Sequence, residues 1–316
     1  MRKHCHNVFV PVIVTCLSLS TSLCAFPAEG LQHTGGPGNE DNKVHARPDP
    51  DETALTASDH AQFGLHVEIG VRDIRYRDLE ESYHFNPAEG LMPLTFTGWE
   101  RSWHEKRTEL RMSYDLYRSR HLVLLPGLLL GAAQAKFSAS NAGLQFSEEW
   151  RTSPAFLGGV YLSGDLGADQ QHGPFLRMQY QFSRAEAHED QEVLASNNPG
   201  TSGDNRDARF RWQESKASLL VGYRWGSLMP MAGIAYSDFR LEKWLRYHIP
   251  ETGLSGDDLQ IVRALNGQES EYHYRNDHHW AIQLALEGKI APAWALVVDA
   301  VLADYEDYRA ALRWSY

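Results

Sequence analysis

Asp277 and His279 stand two positions apart in Asp277-His-His279, inside a stretch where apolar or aromatic residues recur at every second place. Side chains two residues apart on a strand share a face. A carboxylate so placed would orient the imidazole and suit it to act as a general base. The flanking residues define the two faces. Tyr272, Tyr274, Trp280, Ile282, Leu284 and Leu286 lie on one, and Arg275, Asp277, His279, Gln283 and Glu287 on the other. The chemistry therefore depends on a strand whose polar face is sheltered.

The rest of the chain offers little else of this kind. The three cysteines, Cys5, Cys16 and Cys24, all lie near the start, so disulfides and cysteine-held metals are not expected. His33, His45 and His60 lack ligand spacing, and neither a metal nor a cofactor is implied. With 30 basic against 41 acidic residues, a formal charge of −11, general nucleic-acid binding is not expected.

Period two recurs along most of the sequence. Phe63, Leu65, Val67, Ile69 and Val71 alternate with Gly64, His66, Glu68, Gly70 and Arg72. The same alternation marks segments around 110–116, 122–137, 154–166, 176–183, 209–225, 232–236, 272–287, 294–302 and 308–316, ten strands in all. The last of them sets Tyr308, Ala310, Leu312, Trp314 and Tyr316 against Arg309, Ala311, Arg313 and Ser315. A strand with one greasy face and one arginine-bearing face suits a cylinder with lipid outside and polar groups inside. The connections alternate between short and long, with long stretches at about 78–104, 138–152, 187–208 and 246–270, which places the long loops at one rim.

These features predict an all-β protein: an antiparallel transmembrane β-barrel of ten strands spanning 62–316. Ahead of it the sequence predicts a signal peptide over 1–25 (a basic start and a short apolar stretch) and a disordered linker over 26–61. Two aromatic girdles are expected. Tyr114, Tyr117, Tyr223, Trp225, Trp294, Trp314 and Tyr316 would form the one near the termini. Trp103, Trp212, Tyr236, Tyr272, Tyr274, Trp280 and Tyr308 would form the other. On the inward face, Glu68, Arg72, Glu105, Arg107, Glu109, Arg111, Asp115, Arg177, Lys216, Arg224, Arg275, Asp277, Glu287, Asp299, Arg309 and Arg313 interleave both signs. Charges of both signs in a bore of about ten strands read as a rigidifying network rather than an ion path.

Ten strands with long loops at one rim resemble the omptin-type outer-membrane proteases and the Opc-type adhesins in topology and strand pattern. The omptin resemblance implies an Asp–His pair facing a pair of acidic residues at the external rim, with water activated between them. Here those positions would fall to Asp277 and His279, with Glu148 and Glu149 opposite, although glutamates replace aspartates and the Asp-x-His lies within a strand. Ser138-Ala-Ser-Asn resembles the His-x-Ser-Asn stretch of outer-membrane deacylases, but a serine stands where the histidine should be, and without a base it cannot be activated.

The expected function is a structural or surface-interaction role, with a rim peptidase and a narrow channel as alternatives. The expected location is the bacterial outer membrane, with periplasmic termini and extracellular long loops. The expected partners are outer-membrane lipid, the barrel-assembly machinery reached through the strand ending at Tyr316, and an external ligand that the sequence does not name.

Overall fold

The computed structural model describes residues 64–85, 98–119, 122–143, 146–167, 172–196, 206–248, 251–253, 255–303 and 305–316. The expected signal peptide and linker lie outside the described residues. Among the described residues the chain forms fourteen strands and one helix. The strands are β1 (Leu65–Tyr76), β2 (Leu79–Phe85), β3 (Trp99–Tyr114), β4 (Tyr117–Arg118), β5 (Leu122–Asn141), β6 (Phe146–Thr152) and β7 (Ala155–Leu166). They continue as β8 (His172–Ser196), β9 (Arg206–Trp225), β10 (Leu228–Tyr247), β11 (Glu269–Asn276), β12 (Trp280–Ala291), β13 (Trp294–Leu302) and β14 (Tyr305–Ser315), with helix α1 (Asp257–Leu265) between β10 and β11.

Ten of these strands close a ring. In order around the wall they are β1, β3, β5, β7, β8, β9, β10, β12, β13 and β14, each antiparallel to the next. The circle shuts where β14 pairs with β1, Val71 opposite Ala310 and Arg72 opposite Arg309. Closure leaves no sheet edge in this part of the wall, which a strand-built membrane protein requires because lipid cannot satisfy backbone groups. Of the remaining strands, β2, β6 and β11 extend the wall at the end away from Leu65 and Tyr316, while the short β4 pairs with the start of β5 at the other end. β6 precedes β7 after a break at Ser153-Pro154, and β11 precedes β12 after a break at 277–279. β2 follows β1 after Asp78, whose φ of 54° turns the chain, and pairs with β11.

Strand β9 shows how the wall is solvated. At its lower end, near the short turns, Leu219, Val221, Tyr223 and Trp225 are exposed on the outside. At its upper end the outside carries Arg209, Arg211 and Gln213, while Phe210 and Trp212 are buried inside. Apolar and polar faces have exchanged sides along one strand. The same outward apolar band runs through Leu65, Ile69 and Val71 of β1, Val160 and Leu162 of β7, and Ile282, Leu284 and Leu286 of β12. A membrane strand needs about 9–11 residues, and β9 and β10 have 20 each. The upper half of the barrel therefore stands clear of the apolar band, as a water-facing cylinder with an ordinary hydrophobic core.

The structure corrects part of the expected girdle and three of the expected loops. Trp103, Trp212 and Tyr274 are not outward: they are buried in the upper core with Phe137, Trp150, Phe210 and Phe239. Much of 138–152 is strand, since β5 runs to Asn141 and β6 starts at Phe146; β8 reaches Ser196 within 187–208, and β2 and the start of β3 fall within 78–104. Both differences have one cause: alternation continues beyond the membrane, but with water rather than lipid choosing the outward residues.

The lower bore is filled by charge. Arg177 donates to both oxygens of Asp165 at 2.7 Å and to Glu287 at 2.9 Å. Arg313 reaches Glu68 and Glu287, and Arg309 reaches Asp299 at 2.6 Å and contacts Glu68. At mid-height Arg72 holds Asp307 and Glu214, Arg107 holds Glu105 and Glu214, and Lys216 holds Asp307. The Tyr76 hydroxyl donates to Glu214 at 3.0 Å while its ring stacks on Phe239, joining the charged storey to the aromatic one.

Inward glycines let neighbouring strands approach closely. A Cβ on Gly159 would lie 2.1 Å from the Phe182 carbonyl oxygen, which is backbone and cannot swing aside, whereas one on Gly158 would meet only the Phe156 ring at 3.5 Å. Gly159→Ala is accordingly expected to cost about 1–3 kcal/mol through forced backbone displacement, and Gly158→Ala to be close to neutral. Urea unfolding of the two variants in lipid vesicles checks this; equal midpoints would refute it.

Candidate functional site: the cup at the upper mouth

Above the aromatic core, strands β2, β3, β6, β10 and β11 turn polar side chains into the mouth. Glu81 and His84 both reach inward although they are three residues apart, because the pairing of β2 with β11 slips between His273 and Tyr274 and leaves Ser82 as an extra residue. His84 Nδ1 lies 3.2 Å from Glu81 Oε1, and its ring stacks on Tyr272 with centroids 4.4 Å apart. The other Glu81 oxygen accepts from Arg101 at 2.7 Å, and the Arg101 guanidinium lies over Tyr274. Across the mouth Lys243 donates to Glu148 at 2.8 Å. Its ammonium sits over Trp150 at 4.6 Å and Phe137 at 4.9 Å, an arrangement that favours a desolvated cation. Burial, reinforced by neighbouring Tyr247, holds the Tyr272 phenol well above the ordinary tyrosine range, so it is a hydroxyl that can donate or accept.

The residues singled out in the sequence are placed differently. Asp277 is 59 % exposed and lies 3.9 Å from His278, not against His279. His279 instead donates from Nδ1 to the Ser237 carbonyl at 2.8 Å and stacks on Tyr236. The cause is the break at 277–279: in β11 the even-numbered residues face inward and in β12 the odd-numbered ones do. Tyr272 and Tyr274 are therefore inside, and Arg275 and Asp277 outside, the reverse of what uninterrupted alternation requires. Glu148 and Glu149 occupy opposite faces of β6. Glu148 points into the cup, while Glu149 faces out and binds Lys136 and Arg151. The hydrogen bond from Lys136 holds the Glu149 carboxyl below the usual range. The structure thus brings neither Asp277 to His279 nor both glutamates to one site.

Glu81 and His84 were hidden inside the stretch 78–104 that reads as a loop. The only sequence signal for them is Glu-x-x-His, a spacing that alternation alone would split between two faces.

On these observations the fold is that of a ten-stranded outer-membrane β-barrel, defined by the closed ring, the charged bore and the apolar outer band. Neither a protein-family model nor a curated protein matches the sequence. Among solved structures, the outer membrane protease OmpT from Escherichia coli matches with 9 % identity and a TM-score of 0.47, covering 80 % of this chain and 98 % of that one. The outer membrane protein OprG from Pseudomonas aeruginosa matches with 10 % identity and a TM-score of 0.39, over 80 % and 96 %. Ail, the attachment invasion locus protein of Yersinia pestis, matches with 9 % identity and a TM-score of 0.29, over 80 % and 99 %.

Proposed function

We propose that this barrel is a surface-interaction protein of the bacterial outer membrane, with the termini in the periplasm and the upper mouth facing the medium. The observation that carries the reading is the raised rim. Roughly half of β9 and β10 projects beyond the apolar band, its bore closed by Trp103, Trp212, Phe210 and Phe239 and its open end lined by Glu81, His84, Arg101, Glu148, Lys243 and Tyr272. Such a projection serves contact rather than passage. Aromatic walls with charges of both signs suit a ligand that stacks a ring or apolar body on Tyr272 while its polar groups meet Arg101 and Glu148.

The test is binding of the reconstituted protein to an array of glycans, peptides and matrix proteins, with Arg101→Ala and Glu148→Gln alongside the wild type. Loss of at least tenfold in affinity in both folded variants supports the cup as the contact. Binding that is indifferent to both variants removes it.

A rim peptidase is the second reading, now resting on the Glu81–His84 pair rather than on Asp277 and His279. Cleavage of a peptide library by the wild type and its loss in His84→Gln would establish it; an uncut library would dismiss it. A channel is disfavoured by the packed bore. Planar bilayers holding the wild type are expected to stay silent, and stepwise conductance there would contradict the closed aromatic storey.

A further inference from the structure

The lower mouth of the bore, at the end where β1 starts and β14 finishes, holds a second constellation unrelated to the cup. His66 sits near the start of β1, directly across from Ser315 on β14 and from Ser113 on β3. Its Nδ1 lies 2.8 Å from Ser315 Oγ, and its Nε2 lies 3.0 Å from Asp115 Oδ1. The second oxygen of Asp115 accepts from Arg118, at 2.8 Å from Nε and 2.6 Å from Nη2. Asp115 is therefore pinned on one side and offers a single oxygen to the imidazole. An ionised carboxylate only accepts, so Nε2 carries the proton and Nδ1 presents its lone pair to the serine hydroxyl. Serine, histidine and aspartate are thus aligned in the order that activates a nucleophile, recognisable by geometry although Ser315 and His66 are 249 residues apart. His66 and Ser315 face a vestibule of about 320 Å³ whose lining includes Ser113, Arg118, Arg224 and Lys289, while Asp115 is buried.

We infer that Ser315, His66 and Asp115 form a serine-hydrolase site at the lower mouth, acting on a carboxylic ester that bears an anionic group. The anionic preference follows from the lining. Among its described residues six basic side chains (Arg111, Arg118, Arg177, Arg224, Lys289 and Arg313) outnumber three carboxylates (Glu68, Asp165 and Glu287). The steps balance without a co-reactant other than water. The Ser315 Oγ proton passes to His66 Nδ1 as Oγ attacks the ester carbonyl carbon. The tetrahedral adduct collapses, the carbon–oxygen bond to the leaving alcohol breaks, and the alkoxide takes the proton from Nδ1. Water then adds to the acyl-serine by the same relay, releasing the acid and restoring Ser315. Asp115 holds the tautomer and bears the charge opposite the imidazolium. Only the delivery of substrate from the periplasm rests on the orientation proposed above.

The experiment uses the full chain purified and folded in micelles, so its outcome does not depend on which way the barrel faces. The protein is treated with a fluorophosphonate probe and the adduct is mapped by peptide mass. Labelling of Ser315 in the wild type is expected, and folded wild type with Ser315 unlabelled would overturn the site. Hydrolysis is read with p-nitrophenyl acetate and with mono-p-nitrophenyl succinate. Ser315→Ala and His66→Gln, shown folded by their unheated gel mobility, are expected to lose at least about a thousandfold in turnover; Ser138→Ala is expected to keep it. Turnover unchanged in Ser315→Ala would show that the three residues merely clasp β14, β1 and β3 together. A tenfold preference for the succinate supports the anionic class, and equal rates with the acetate would overturn that part. Because the adduct is mapped on the wild type, a variant that misfolds leaves the inference exposed to refutation.

Discussion

Replacing Arg177 with methionine is expected to lower the stability of the barrel by about 3–5 kcal/mol, the cost of stranding a buried charge. Asp165 lies directly opposite Arg177 in the β7–β8 pair, and both its oxygens receive a guanidinium N–H at 2.7 Å. With Arg177 gone, that carboxylate must remain ionised without its cation or take up a proton. Glu287, the other partner, keeps Arg313 at 2.9 Å and suffers less. The double variant Arg177→Met with Asp165→Leu removes charge and countercharge together and should recover at least half of the loss. Urea unfolding in vesicles, followed by tryptophan fluorescence, gives both numbers. The outer pair Arg275–Glu80 is a useful contrast: both side chains are half exposed, and breaking it should cost less than about 1 kcal/mol. A penalty at Arg177 no larger than that at Arg275 would mean that water reaches the lower bore and screens it.

The charged storey was legible because β1, β3, β8 and β14 keep strict alternation through the apolar band. Glu68, Arg72, Glu105, Arg107, Glu109, Arg111, Asp115, Arg177 and Arg309 are all buried on the inside, as the period requires. The ring of ten was legible for the same reason. Each stave carries at least one uninterrupted run long enough to cross a membrane, and even the staves that break, 146–166 and 269–291, keep their full alternation on the lipid side of the break.

The cup was not legible, and the reasons are local. A sequence pattern carries phase only as long as the strand is regular. One extra residue at Ser82 brings Glu81 and His84 to the same face, and one break at 277–279 sends Asp277 out. Neither leaves a mark in composition. The Ser315–His66–Asp115 chain escaped for a different reason: alternation does put His66, Asp115, Arg313 and Ser315 on inward faces, but only the register of β14 against β1 brings Ser315 level with His66. Faces are written in the sequence, whereas levels along the barrel axis are set by how neighbouring strands slide past each other.

Strand β9 offers the sharpest test of the two-storey description, because opposite rules should hold within eight residues. Trp212 is buried inside the raised rim, donates its indole N–H to Glu105 at 2.9 Å and stands 5.1 Å from the Trp103 ring. Trp212→Ala should therefore behave like a truncation in a soluble core and cost about 3–5 kcal/mol. It also removes one of the two donors to Glu105 Oε1, which keeps the N–H of Arg107 Nε. On the outside of the same strand, Gln213→Arg should be nearly silent because that position faces water. Leu219→Arg faces the apolar band and should cost about 2–4 kcal/mol, as an arginine near the bilayer midplane does. The three variants need only one assay, unfolding from vesicles, but transfer to detergent separates the terms. The Trp212 penalty belongs to protein packing and should persist in micelles, whereas the Leu219 penalty belongs to lipid and should shrink. If Gln213→Arg instead proved as costly as Leu219→Arg, the membrane would have to cover the upper half as well. The aromatic core would then lie inside the bilayer, and the raised rim on which the surface-contact reading depends would not exist.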